Sequence, residues 1–129
     1  MDAPFQATYQ TKRMLYETML CAEHRGAYVG YVRGEFSRTL TGFFQEVSSA
    51  FRFPYTFSWS WESLDACFRD LEWLSFSQLL WVISQPEKLF TQEENHMAHV
   101  NALQRSIAAA ASFWRERQVP FDCVLNLFE

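Results

Sequence analysis

Two hydrophobic periods alternate along the chain. Residues 27–33, AYVGYVR, are β-branched and aromatic and follow Gly26, the pattern of a strand. Arg33-Gly34-Glu35 then turns the chain. From Thr39 to Phe51 the apolar positions are Leu40, Phe43, Phe44, Val47, Ala50 and Phe51, the spacing of a helix with one apolar face. Ser37 or Thr39 can cap it, and Phe53-Pro54 ends it, because the residue before proline avoids the α region. A loop from Tyr55 to Trp59 follows, and Ser60 is placed to cap a second helix. In that helix Leu64, Cys67, Phe68 and Leu71 share a face. At about 100° per residue, Glu62, Asp65, Ala66, Arg69 and Trp73 fall opposite, flanked by Asp70 and Glu72.

Residues 78–84, QLLWVIS, are a near-continuous apolar run, as in a strand covered on both faces. Pro86 opens a short helix or turn through Phe90. Thr91-Gln92-Glu93-Glu94 has capping-box spacing, predicting a helix to about Arg117 with Val100, Leu103, Ile107, Ala110, Ala111 and Trp114 in register. Val119-Pro120 stops it, and Phe121 to Phe128 reads as a last strand. Strands alternating with helices pair in parallel through right-handed crossovers. The expected fold is therefore α/β, a three-stranded parallel sheet packed with about four helices. Residues 1–22 carry less pattern. They read as an N-terminal extension in which Gln10 to Ala22 can form a loosely docked helix with Leu15, Met19 and Ala22 on one side, leaving residues 23–129 as the main domain. No linker or internal repeat divides the chain.

Composition narrows the function. With 129 residues, 49% hydrophobic and 18% aromatic, the chain builds one sizeable core and leaves some Trp and Tyr for a surface, where protein interfaces favour them. The net charge of −4 opposes binding to nucleic acid, whose phosphates reward Lys and Arg, and suits a basic partner. Cys21, Cys67 and Cys123 form no CxxC pair, which fits reduced thiols in a cytoplasmic protein. No signal peptide and no membrane-length apolar run is visible. Phosphate-binding glycine loops and a nucleophile elbow are also missing. His96 and His99 lie three apart, but no third metal ligand is placed with them. The expectation is a monomer without catalytic activity, metal or cofactor.

Three stretches resemble the barstar family: Arg33-Gly34-Glu35 with the Leu40-to-Val47 helix; FPYTFSWSWESLDACFRDLEWL from Phe53 to Leu74; and RQVPFDCVLNL from Arg117 to Leu127. The middle stretch is the most specific, being similar to the family's Pro, aromatic-Gly loop and helix of form N-x-D-A-L-x-D-C-L. The resemblance covers roughly residues 27–129. It implies a barstar-like fold and a protein that occludes the active site of a ribonuclease as an immunity protein or antitoxin, in a 1:1 complex with that toxin. The loop before the second helix, and the helix, would form the contact. On that reading the partner-binding residues are Thr56, Trp59, Ser60, Glu62, Asp65, Ala66, Arg69 and Trp73. Thr56 stands where the family has a loop Tyr, Ser58 where it has Gly, Ser60 where it has Asn, and Glu62 where it has the first helix Asp. Ala66 stands where the family has its second helix Asp. The missing acid supports an alternative, a barstar-fold interaction module whose partner is not a nuclease.

Overall fold

The computed structural model describes residues 5–8 and 12–126. Strand β1 (Phe5–Thr8) leads to helix α1 (Lys12–His24) and strand β2 (Ala27–Arg33). A single 3₁₀ turn, Gly34–Phe36, then precedes helices α2 (Leu40–Ala50) and α3 (Trp61–Phe68). After them come strand β3 (Gln78–Ser84), a 3₁₀ turn at Pro86–Lys88, helix α4 (His96–Arg115) and strand β4 (Phe121–Asn126). The expected three strands form a parallel sheet with β3 in the centre, and four helices pack on it. The short β1, which the sequence pattern did not announce, adds a fourth parallel strand beside β4, giving the order β1-β4-β3-β2. The predicted residues Gln10, Thr11, Leu127 and Phe128 lie outside the described residues.

Register sorts the strand side chains onto two faces, because successive residues point to opposite sides. Gly30 pairs with Trp81, and Trp81 with Cys123, on one face. That face carries the main core with α2, α3 and α4, where Val32, Phe43, Phe51, Leu64, Phe68, Leu103, Ile107 and Phe121 are all buried. The second face presents Leu80, Val82 and Val124, which α1 covers with Leu15 and Ala22, Met19 packing beside them. Leu15, Met19 and Ala22 therefore do share a side of α1, as their spacing predicts. Coverage on both faces explains the unbroken apolar run of β3.

Aromatic groups also finish the helices. The last carbonyls of a helix lack intrahelical donors. The Tyr28 hydroxyl donates to the Ala50 carbonyl (2.7 Å), the Trp73 indole N–H to Phe51 (2.9 Å) and the Trp114 indole N–H to Phe68 (2.6 Å). At the other end of α2, Thr39 accepts from the Gly42 amide, as expected of a cap.

One cap differs from expectation. Thr91 and Glu94, the pair with capping-box spacing, do not open α4. That helix starts at His96, and its N-cap Asn95 makes no side-chain capping bond. The Thr91 hydroxyl donates to the Lys88 carbonyl (3.0 Å), and the Glu93 carboxylate accepts from the Leu40 amide (2.8 Å) at the start of α2. A capping box satisfies its own helix. Here Phe90 and Gln92 donate to the Ser37 and Arg38 carbonyls, which aligns Glu93 with a different N-terminus, where the helix dipole also favours its charge. Glu93→Ala is expected to cost about 1 kcal/mol in urea unfolding. Amide exchange should rise in the first turn of α2 and not in α4.

Candidate functional site

The loop from Phe53 to Trp59 and helix α3 form one surface. Ser60 caps α3 by accepting from the Ser63 amide (3.1 Å), and the Ser63 hydroxyl accepts from the Ser58 amide (3.0 Å). These two bonds tie the loop to the first helical turn. The loop enters and leaves through left-handed residues, Arg52 (φ 54°) and Trp59 (φ 60°). Such a backbone is uncommon outside glycine, and at Trp59 it brings the indole back onto Phe57, with centroids 6.3 Å apart and planes 28° apart. Trp59 remains 45% exposed and Tyr55 98% exposed, so two aromatic side chains face solvent on adjoining turns.

Between the loop and α3 lies a groove of about 220 Å³, lined by Pro54, Thr56, Ser63, Ala66, Cys67, Asp70 and Trp73. It brings together three of the residues expected to touch a partner: Thr56, Ala66 and Trp73. Glu62 is exposed in the first turn of α3, and Arg69 is exposed at its C-cap. Ser60 serves the fold through its cap. Asp65 is half-buried, and its Oδ1 is a buried atom without a hydrogen-bond partner among the described residues. At 100° per residue it lies on the opposite flank of α3 from Ser63 and Asp70, so it is not part of the groove. Trp73 lies beyond the helix, because α3 ends at Phe68 and Leu71 (φ 51°) turns the chain. Its indole is half-buried, with its N–H on Phe51, so it forms a wall of the groove and also ties that wall to α2.

Pro54, Ser63, Cys67 and Asp70 were not read from the sequence as partner-binding. The available signal was the spacing of Ser63, Ala66, Cys67 and Asp70, at intervals of three and four, which places them along one flank of a helix. Burial pushes the Cys67 thiol above its ordinary range, and the nearby Asp70 carboxylate pushes it further. Cys123 is raised strongly, again by burial first and then by Asp122. Both are core thiols without the electropositive setting that activates a nucleophile. Among the described residues no group of three or more His, Cys, Asp or Glu side chains is placed to hold a metal ion. The His99 ring instead stacks on Trp61, with centroids 6.3 Å apart. Among the described residues no helix is long and apolar enough to cross a membrane.

A search among curated proteins returns no match. Comparison with protein families matches residues 27–126 to the family described as Barstar (barnase inhibitor). The matched span takes in β2 to β4, the three helices of the main core and every residue of the groove. With most of its 129 residues matched in this way, the chain belongs to the barstar family.

Proposed function

We propose that this protein binds a cognate ribonuclease in the cytoplasm and occludes its active site, as an immunity protein or antitoxin that performs no catalysis. The observation that carries the reading is the surface of α3 and its preceding loop. Trp59 and Tyr55 are exposed in the loop before α3, and Glu62, Asp70 and Glu72 are exposed on α3 and just after it, in a chain of the barstar family. A ribonuclease cleft is built to hold phosphate and is therefore cationic. Carboxylates fixed on a helix enter that field in place of RNA, which speeds encounter and sets orientation. The aromatic rings supply the desolvated contact that slows release. The complex is expected to be 1:1.

The test begins with co-expression of the chain against a panel of basic bacterial ribonucleases, scored by survival. For a ribonuclease that is neutralised, the Glu62→Lys, Glu72→Lys double variant should associate about tenfold more slowly at low salt. Its rate should also depend less on ionic strength. Unchanged rate and salt dependence would show that this face does not meet the enzyme.

A second reading, an interaction module whose partner is not a nuclease, is favoured by one observation. Ala66 is exposed in the groove, where an acid would otherwise confront a phosphate-binding cleft. A stable partner without nuclease activity, bound through the same surface, would establish it.

A further inference from the structure

We propose that Arg33, Glu46 and Ser37 form a lock on the long free edge of the sheet, closing it against strand addition by a second copy of this chain. The lock lies on β2 and α2, away from the surface of α3, and does not depend on the inhibitor reading.

The sheet has two edges. One is β1, four residues long. The other is β2, which runs for seven residues and pairs only with β3 among the described residues. A long edge offers a row of unpaired N–H and C=O groups to any other strand. Only every second residue turns its backbone outward, because the pleat alternates. The Arg33 N–H donates to Glu46 Oε1 (3.0 Å) and so points away from β3. Alternation then makes Ala27, Val29, Tyr31 and Arg33 the outward set. Beyond the sheet, Ala27, Val29 and Tyr31 make no backbone bond among the described residues.

Arg33 differs from those three. A Glu46 oxygen meets its outward N–H, where the carbonyl of an added strand would sit, and its carbonyl accepts from the Ser37 hydroxyl (2.9 Å), in place of an added strand's amide. Its side chain starts on the α1 face of the sheet, with those of Ala27 and Val29, whereas Glu46 belongs to α2 on the main-core face. The guanidinium therefore crosses the outside of the strand to reach its partner. There Nε (3.0 Å) and Nη2 (2.8 Å) donate to the two carboxylate oxygens, and Cζ lies 4.3 Å from the centre of the Phe36 ring. A two-pronged pair of this kind is geometrically fixed. The occupant it excludes follows from the strand itself. AYVGYVR holds no proline and no charge except Arg33, the make-up of a segment prone to self-pairing. About a two-fold axis at Val29, Ala27 of one copy would face Tyr31 of the other and exchange hydrogen bonds with it. The lock stands at each end of that pairing, where the second chain must pass.

Light scattering after size-exclusion chromatography should give the full chain the mass of one copy. The Arg33→Val, Glu46→Ala variant loses the lock and the only charge of the strand, and should reach the mass of two copies at high concentration. As concentration rises, amide exchange in that variant should slow at least about tenfold at Val29 and Tyr31, while Gly30, already bonded to β3, stays unchanged. Adding Val29→Pro, which removes an outward N–H and spares the β2–β3 ladder, should restore the single copy. A folded double variant that stays monomeric, or one that associates without slowing Val29 and Tyr31, would overturn the proposal. The wild type supplies a measurement that needs no variant to fold. Its Arg33 amide should exchange about tenfold more slowly than its Tyr31 amide. Equal rates would show that Glu46 does not close the edge.

Discussion

Phe51→Ala is expected to destabilise the protein by about 3–5 kcal/mol, a large part of the roughly 5–15 kcal/mol that holds a domain of this size. Phe51 is fully buried and touches more rings than its place at the end of α2 suggests. Its centroid lies 4.9 Å from Phe68, 5.4 Å from Trp81 and 5.9 Å from Tyr28, with Phe53 stacked at 6.4 Å. Gly30 is part of the same arrangement. A Cβ at that position would collide with the Phe51 ring, so the absence of a side chain on β2 allows the ring to rest on the strand. Truncation to alanine leaves a cavity between α2, α3 and the sheet that rigid neighbours cannot close. It also removes the support under the Phe53 and Trp73 side of the groove. Urea unfolding should show a lower midpoint with an unchanged slope. A loss below about 1 kcal/mol would mean that the core relaxes into the space, contrary to the packing seen here.

The second large effect concerns α1. Leu15 is 4% exposed and packs with Leu80, Val82 and Val124, on the sheet face away from the groove. Leu15→Asp places a carboxylate without a partner in that contact. The expected loss is about 3–5 kcal/mol, read by thermal or urea unfolding. A fragment of residues 27–129, which retains the whole family-matched region, should expose that apolar face and also the β4 edge that β1 pairs with. Such surfaces bind hydrophobic dyes and promote association. A fragment as stable and monomeric as the full chain would show that α1 is dispensable. The two perturbations act on opposite faces of the sheet. Their effects should add within about 0.5 kcal/mol when a Phe51→Leu change is combined with Leu15→Ala.

The same division into two faces separates what was legible in the sequence from what was not. Strands at 27–33 and 78–84 and the helix after Thr39 were readable because each carries its own local pattern, β-branched and aromatic residues, an unbroken apolar run and a helical period in turn, and its own stop signal. Helix α1 was weaker as a pattern because only a narrow stripe of it meets the sheet, while Met14, Tyr16 and Leu20 stay exposed. Strand β1, four residues long at an edge, is too short to show a period. The capping box at Thr91 to Glu94 was misplaced because its spacing is a local criterion, whereas α4 starts only at His96 and the neighbouring Glu93 meets the Leu40 amide, 53 positions away in sequence.

For the surface, the residues that carry it were visible on a helical wheel from Glu62 to Trp73, but the wheel treats the helix as if it continued. Because α3 stops at Phe68, Trp73 leaves the outer face and becomes a wall. Asp65 turns toward partial burial, and Asp70 replaces it beside Ala66.

By itself, then, the amino-acid order determined the element types, the parallel α/β class and the acidic, aromatic character of one helix and its loop. Those properties follow from neighbours a few positions apart. Only the tertiary structure decided which helix covers the back of the sheet, which amide Glu93 caps and which carboxylate faces the groove. Each of those outcomes depends on contacts between residues distant in the chain, whose meeting is fixed by packing and backbone hydrogen bonding across the whole fold.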